Sequence, residues 1–470
     1  MKVNIITQPL FENYGGILQN FALQEVLRRL GHEPLTLNVP PRRPQSSLVD
    51  SAKRVVKMML GQKGLKLTAG SQFDDLCRKA TLLQDFRRRH IASVDLPAPF
   101  GKDVAEKYKA DAYIVGSDQI WRPWCSFYMH NNFFDFVEDP DTIRISYAAS
   151  LGTDQWEIDP QTTADIRPLA KRFQAISVRE QSGIQLVKDN LGCDAVQVLD
   201  PTLLLSTEDY RQVAEREWTA AASSEPYIGV YVLDQSPAIK EFINNLSQEL
   251  GLPVRYTGLT RRASAAECEN LKVKSENLDQ SENLKVKSEN LDQSENLKVK
   301  SENLDQSENL KVKSENLDQS ENLKVKSENF LTFNSSLLTF KVKDSIEHWL
   351  ATLGNAAFVV TDSFHGTAFS INFGRQFVTL GNPLRGTARF SSILSKFGLN
   401  DHLAAPSPAL IRQISSGALS IDYSRLAPIL TAERARSLSF LTENLRVSGS
   451  LCLNILCLDH LCLDQEGQDF

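Results

Sequence analysis

The stretch Val359-Val360-Thr361-Asp362-Ser363-Phe364-His365-Gly366-Thr367-Ala368-Phe369-Ser370 runs from an apolar strand pattern, through a polar cluster, into an apolar helix pattern. A strand that ends on polar residues and turns straight into a helix is the corner of a parallel sheet covered by helices. The first turn of such a helix offers unpaired backbone N–H groups and the positive end of the dipole, so a corner carrying His365 suits a phosphate or a carboxylate. On the plainer reading, Asp362 or Ser363 only caps the helix. A histidine followed at once by Gly366 leaves room for close approach of backbone, which favours a binding site.

The same corner recurs along the chain. Val3 to Thr7 leads into Gly15-Gly16 and an amphipathic helix from about Leu18 to Leu30, ended by Gly31, before Pro34-Leu35-Thr36-Leu37 resumes as a strand. Ala112 to Val115 runs into Gly116-Ser117-Asp118-Gln119, Ile143 to Ala148 into Ser150-Leu151-Gly152, and Ala175 to Val178 into Arg179-Glu180. A second series begins near Tyr227 to Val232, with a helix from about Ala238 to Leu250, a strand at Val254 to Tyr256, a helix from Ser345 to Leu353 and a strand at Gln376 to Leu380. In open parallel sheets, ligands lie beyond the carboxyl ends of the strands, so the corners converge on one crevice. The expected fold is α/β, with two Rossmann-like lobes and a cleft between them. Residues 1–220 form the N-terminal lobe and 221–400 the C-terminal lobe. Residues 401–447 supply helices that pack back across both.

Two segments stand outside this pattern. A 13-residue unit, Ser-Glu-Asn-Leu-Lys-Val-Lys-Ser-Glu-Asn-Leu-Asp-Gln, repeats over 268–330 and interrupts the second lobe. Its leucines fall alternately seven and six apart, which walks them around a helix surface and leaves no lasting apolar stripe. It reads as a duplicated, solvated insertion without catalytic residues. The tail 448–470 repeats Leu-Cys-Leu around Cys452, Cys457 and Cys462. Neither these cysteines nor the scattered Cys77, Cys125, Cys193 and Cys268 define a disulfide framework or a zinc site.

The net charge is −6 and no apolar run is long enough to span a bilayer. The first residues read as a strand rather than a signal peptide, which points to the cytoplasm. Nucleic-acid binding does not fit the acidic balance. Residues 41–67 are basic and amphipathic, with Arg42, Arg43, Lys53, Arg54 and Lys57 beside Val55, Val56, Met58 and Met59. Such a segment suits either peripheral contact with an anionic inner membrane face or an ordinary solvated surface.

Taken together, Asn13-Tyr14-Gly15-Gly16-Ile17-Leu18-Gln19, Val115 to Trp121, Ser146 to Gly152, Ser177-Val178-Arg179-Glu180, Leu199-Asp200-Pro201-Thr202 and Thr361 to Gly366 resemble the polysaccharide pyruvyl transferase family. The resemblance implies a glycosyltransferase-B-like pair of lobes. It also implies transfer of pyruvate from phosphoenolpyruvate to sugar hydroxyls as a ketal, with no metal or cofactor. The acceptor is then a sugar or lipid-linked oligosaccharide of an exopolysaccharide or cell-wall precursor.

Phosphoenolpyruvate carries a carboxylate and a phosphate, which call for guanidinium groups and helix N-termini. Arg179 is the first candidate. Some family members carry an arginine two residues before the histidine, where this chain has Ser363, so Arg385 or Arg389 supplies the missing charge or the donor differs. Arg389 reads equally well as a structural ion-pair residue. Asp362, Ser363, Gly15, Gly16, Ser117 and Gln119 complete the expected binding site. Ketal formation needs an acid for the methylene carbon and a base for the sugar hydroxyls, roles that fit His365 and Asp118. His365 equally fits a phosphate ligand. Asp118 alternatively caps a helix, with Trp121 as core packing. The Gly15-Gly16 corner lacks the G-x-G-x-x-G spacing of a dinucleotide site and reads as either a close approach to a ligand or a tight turn. A nucleotide-sugar glycosyltransferase and a non-catalytic carbohydrate-binding relative are the remaining alternatives.

Overall fold

The computed structural model describes residues 1–41, 80–126, 128–234, 236–260, 341–342, 344–381 and 387–446. The basic segment beyond residue 41, the repeats at 268–330, Arg385 and the tail 448–470 lie outside the described residues.

Seven strands form the first sheet: β1 (Lys2–Ile6), β2 (Glu33–Asn38), β3 (Ser93–Asp95), β4 (Ala112–Val115), β5 (Ile143–Ala149), β6 (Ala175–Val178) and β7 (Val196–Gln197). They run in the order β3-β2-β1-β4-β5-β6-β7 and every pairing is parallel. β8 (Ile228–Tyr231) and β9 (Val254–Tyr256) belong to a second sheet, completed by β12 (Phe358–Thr361), β13 (Gln376–Leu380) and β14 (Leu403–Ala404) in the order β14-β13-β12-β8-β9, again all parallel. Between them in sequence, β10 (Leu259–Thr260) and β11 (Lys341–Val342) pair antiparallel, with Thr260 opposite Lys341. The central strands β4, β8 and β12 are buried along their whole length, as a sheet covered on both faces requires.

Six helices position the site: α1 (Tyr14–Arg29), α2 (Gln181–Leu191), α3 (Ile346–Gly354), α4 (Phe364–Asn372), α5 (Ala388–Lys396) and α6 (Tyr423–Asn444). α1 begins a full turn earlier than its sequence pattern suggests, so Gly15 and Gly16 lie inside its first turn rather than in a tight turn before it. Tertiary contacts override the low helix propensity of the two glycines there.

One apolar cluster runs through both lobes and joins α1, α3, α4 and α6. Its centre is aromatic. Tyr14 stacks on Trp349 with centroids 5.8 Å apart, and Trp349 meets Tyr231 and Phe369 edge-on, each at 5.1 Å. The Tyr14 hydroxyl also donates to the Asp344 carbonyl at 2.7 Å, so one residue of α1 is bound to the second lobe by both packing and a hydrogen bond. α6 lies across both lobes. Arg434 donates to the carbonyls of Leu203 and Leu205 and to Asn372 Oδ1, while Ser437 Oγ accepts from the Leu199 N–H at 3.0 Å. Trp349→Ala should therefore lower the unfolding free energy by about 3–5 kcal/mol, read as a shift in the urea midpoint, because the cavity opens where the lobes meet.

Candidate functional site

The site is built on the carboxyl ends of β1, β4, β6 and β7, against the first turn of α4 from the other lobe. Arg179 follows β6 and is buried. Its Nη1 donates to Asp200 Oδ2 at 2.9 Å and its Nε to Glu180 Oε1 at 3.2 Å. Its Nη2 lies 3.6 Å from Asp118 Oδ1, an ion-pair distance too long for a hydrogen bond. The guanidinium plane sits over the Phe364 ring at 4.2 Å. Ser117 Oγ donates to Asp200 Oδ2 at 3.0 Å, and Ser150 Oγ to Glu180 Oε1 at 2.6 Å. Asp200 Oδ1 accepts from the backbone and hydroxyl of Thr202, at 3.0 and 2.8 Å.

His365 stands in the first turn of α4 with Nε2 3.8 Å from Asp200 Oδ2. Gly15 is what makes room for it. A Cβ on Gly15 would fall 1.9 Å from His365 Nδ1, so the first turns of α1 and α4 meet through a glycine and an imidazole. The space beside Gly366 is closed to any ligand, since a Cβ there would lie 2.1 Å from Thr361 Oγ1. Helices α1 and α4 carry no side-chain cap and no acidic residue in the first turn. The N-terminal turns of both helices, each the positive end of its dipole, thus touch at Gly15 and His365.

Burial drives the titration of these groups. It pushes His365 below the ordinary imidazole value, and Asp200 and Asp118 offset it only in part. Burial also works against the charge of Asp200, but His365, Arg179 and Thr202 outweigh it and hold the carboxyl below its usual range. For Arg179 burial is overcome by Glu180, Asp200 and Asp118, which raise it. Arg389, on α5, is pushed down to about 10 by burial and by the nearby charge of Arg179. Glu12, one residue before Asn13, is lifted to about 7 by burial alone. Buried atoms of the cluster that make no hydrogen bond are Arg179 Nη2, Glu180 Oε2, His365 Nε2 and Arg389 Nε.

The residues expected at the site divide into two groups. His365, Asp118, Ser117, Arg179, Arg389 and Gly15 come together. Asp362 does not. Its two oxygens accept from the Leu233 and Asp234 N–H groups at 2.6 and 2.7 Å and stitch β12 to the loop after β8. Ser363 occupies the N-cap of α4 but its side chain makes no cap bond. Asp118 caps no helix; it sits in a turn at φ +68°, with Oδ1 accepting from the Gln119 N–H at 2.9 Å. Gln119 turns Oε1 to Arg122 Nη1 at 3.0 Å, and Gly16 faces Asn13. Arg179 has most of its donors engaged with carboxylates of the chain, so it frames the site rather than standing open to an anion. The partners Asp200 and Glu180 and the ring of Phe364 are site residues that motif reading left without a role. Only the Asp-Pro step at 200–201 signals anything in the sequence, and it signals a cap. Among the described residues no His, Cys, Asp and Glu group is arranged to hold a metal, and no helix is long and apolar enough to cross a membrane.

These features define a two-lobed α/β protein with a charged cluster where the lobes meet. The chain belongs to the polysaccharide pyruvyl transferase family, whose sequence pattern matches residues 13–383, and is thus a member of an enzyme family with a pyruvyl donor and a polysaccharide acceptor. No protein of curated function matches the sequence. Similar solved structures include a transferase from Siraitia grosvenorii in complex with UDP (9% identity, 94% of this chain and 99% of that one, TM-score 0.42). MurG of Acinetobacter baumannii is another (8% identity, 94% and 98%, TM-score 0.39). A third is the UDP-GlcNAc 2-epimerase of Methanocaldococcus jannaschii (11% identity, 94% and 100%, TM-score 0.45). At these scores the likeness says nothing about activity.

Gly15→Ala should lower stability by about 1–3 kcal/mol in urea denaturation, since the methyl group must displace His365 or the first turn of α1. A second expectation concerns acid. From the ordinary imidazole value of 6.5 downward, the unfolded chain takes up a proton that buried His365 resists, so stability falls as pH falls through this range. Below 3.8, Asp200 adds a further loss, because its depressed native value leaves the unfolded chain binding the proton first. Melting temperatures of the native protein and of His365→Gln, measured from pH 8 to pH 3, should differ in slope in the upper part of this range. The difference between the two curves isolates His365 from His32, His90 and His402, which burial lowers as well.

Proposed function

We propose that this protein transfers the pyruvyl group of phosphoenolpyruvate to two hydroxyls of one sugar in an exopolysaccharide or cell-wall polysaccharide precursor, forming a cyclic ketal. The observation that carries this reading is the contact between the first turns of α1 and α4, made through Gly15 and His365 beside the charged cluster. Two uncapped positive helix ends in contact repel each other, and an anion at their junction relieves the repulsion. Arg389 Nε, buried and without an acceptor, is the guanidinium donor best placed to add a charge-assisted hydrogen bond to that anion. It takes the role that an arginine at the position of Ser363 would fill. Arg179 keeps the carboxylates in place. Glycosyltransferase-B-like lobes would present the donor and the acceptor from opposite sides of the cleft.

Chemistry at C2 then uses the opposite sign of charge. The imidazolium of His365, formed beside the anionic donor, gives its proton to the methylene carbon, which becomes a methyl group and leaves a cationic C2 that Asp118 and Asp200 stabilise in a water-poor site. The first sugar hydroxyl attacks C2 and gives its proton to His365 or Asp118. The bond from C2 to the phosphate oxygen breaks, the phosphate leaves with the electron pair, and the second hydroxyl attacks C2 and gives up its own proton. Of the two hydroxyl protons, one replaces that delivered to the methyl group and the other leaves on phosphate. His365, whose proton affinity burial lowers, accepts a proton more readily once a multiply charged donor lies beside it.

In titration calorimetry the native chain should bind phosphoenolpyruvate. Arg389→Ala should weaken it by about 10- to 100-fold, the loss of a charged hydrogen bond worth about 1.5–3 kcal/mol. His365→Ala should still fold and bind, while acceptor-dependent phosphate release falls by at least about 100-fold. Binding of a nucleotide sugar in place of phosphoenolpyruvate would overturn the proposal.

A further inference from the structure

The first lobe also holds a cavity of about 420 Å3, within the range of ligand sites. Its walls come from the loops that follow β3, β4 and β5, which places it at the same carboxyl end of the seven-stranded sheet as Asp118 and Arg179. Pro99 and Tyr128 give it flat apolar surfaces, while Ser126, Thr162, Asp135 and Asp159 give it hydroxyls and carboxylates. Among the described residues that line it there is no lysine or arginine.

That chemistry separates the two substrates. A doubly or triply charged donor is repelled by Asp135 and Asp159 and finds no guanidinium. A sugar ring, uncharged and rich in hydroxyls, offers donors to carboxylates and an apolar face to an aromatic ring. Both carboxylates are held in position. Asp135 accepts from Asn131 Nδ2 at 2.7 Å and Asp159 Oδ1 from the Thr162 N–H at 3.0 Å, and a carboxylate has lone pairs for further donors. One segment of chain links cavity and cluster. Ser126 lines the cavity, while its neighbour Cys125 lies within electrostatic reach of Asp118 and Arg389. Arg122, on the same segment, is clamped by both oxygens of Glu157 at 2.9 and 3.2 Å, which fixes the segment to the loop after β5.

We infer that this cavity is the saccharide subsite of the protein, holding a neutral sugar ring of the acceptor next to the ring that is modified. The inference rests on the pyruvyl-transfer reading for the direction of the acceptor, but not for the chemistry of the cavity. It is tested with methyl glycosides of glucose, galactose, mannose and N-acetylmannosamine at millimolar concentration, followed by saturation-transfer NMR on the full chain. Phosphoenolpyruvate calorimetry runs in parallel. Thr162→Phe fills the cavity and Tyr128→Ala removes its aromatic wall. Each should weaken the bound glycoside at least tenfold and leave phosphoenolpyruvate affinity within about twofold, which also shows that the variants fold. Glycoside binding unchanged in both variants overturns the inference, as does a native protein that binds phosphoenolpyruvate and none of the glycosides. Glycoside binding that the variants lose, in a protein that does not bind phosphoenolpyruvate, upholds the subsite and overturns the donor reading instead.

Discussion

A guanidinium with no access to water must be neutralised where it stands, and this requirement governs the centre of the molecule. Arg179 meets it with Asp118 from the loop after β4, Glu180 from its own corner and Asp200 from beyond β7, and it rests on Phe364 from the opposite lobe. Three strand ends of one sheet and the first turn of a helix in the other lobe are thereby referred to a single cation. Breaking such a set by removing one partner costs about 3–5 kcal/mol, because the groups left behind stay buried and charged. The aromatic contacts of Tyr14 and Trp349 hold the lobes together on a second, apolar side. Between these two anchors the contact of Gly15 with His365 has little freedom to move.

This arrangement separates charges that would otherwise cancel. Carboxylates gather around Arg179 and near one side of His365, while the helix ends and Arg389 supply the positive side. The pyruvyl transfer proposed above would begin with an anionic substrate and pass through a cationic carbon, and would draw on both signs at different points. Burial does the remaining tuning, since it lowers the affinity of His365 for a proton and leaves the charge of Asp200 to its partners.

The sheets were legible because their strands end on small or polar residues and the intervening helices have regular apolar spacing. The convergence of Asp118, Arg179 and His365 followed from the rule that parallel strands present their carboxyl ends to one crevice. The division of labour among them did not. Asp200 lies far along the chain from Arg179, and nothing local marks it as the counter-charge of a buried arginine. Asp362 sits in the most suggestive motif of all, yet its carboxylate is spent on two N–H groups of a neighbouring loop. Sequence order put it beside His365 and tertiary geometry turned it away. Gly15 is the converse case. Its absent side chain is meaningful only because an imidazole from the other lobe fills the space.

The small antiparallel ribbon of β10 and β11 sets Thr260 opposite Lys341, so the chain between them leaves and re-enters the second lobe at one point. In general the entropy of closing a chain between two fixed points rises only with the logarithm of its length, about 0.6 kcal/mol for each doubling. With its two ends fixed side by side at Thr260 and Lys341, the second lobe is set to depend only weakly on how many residues separate them.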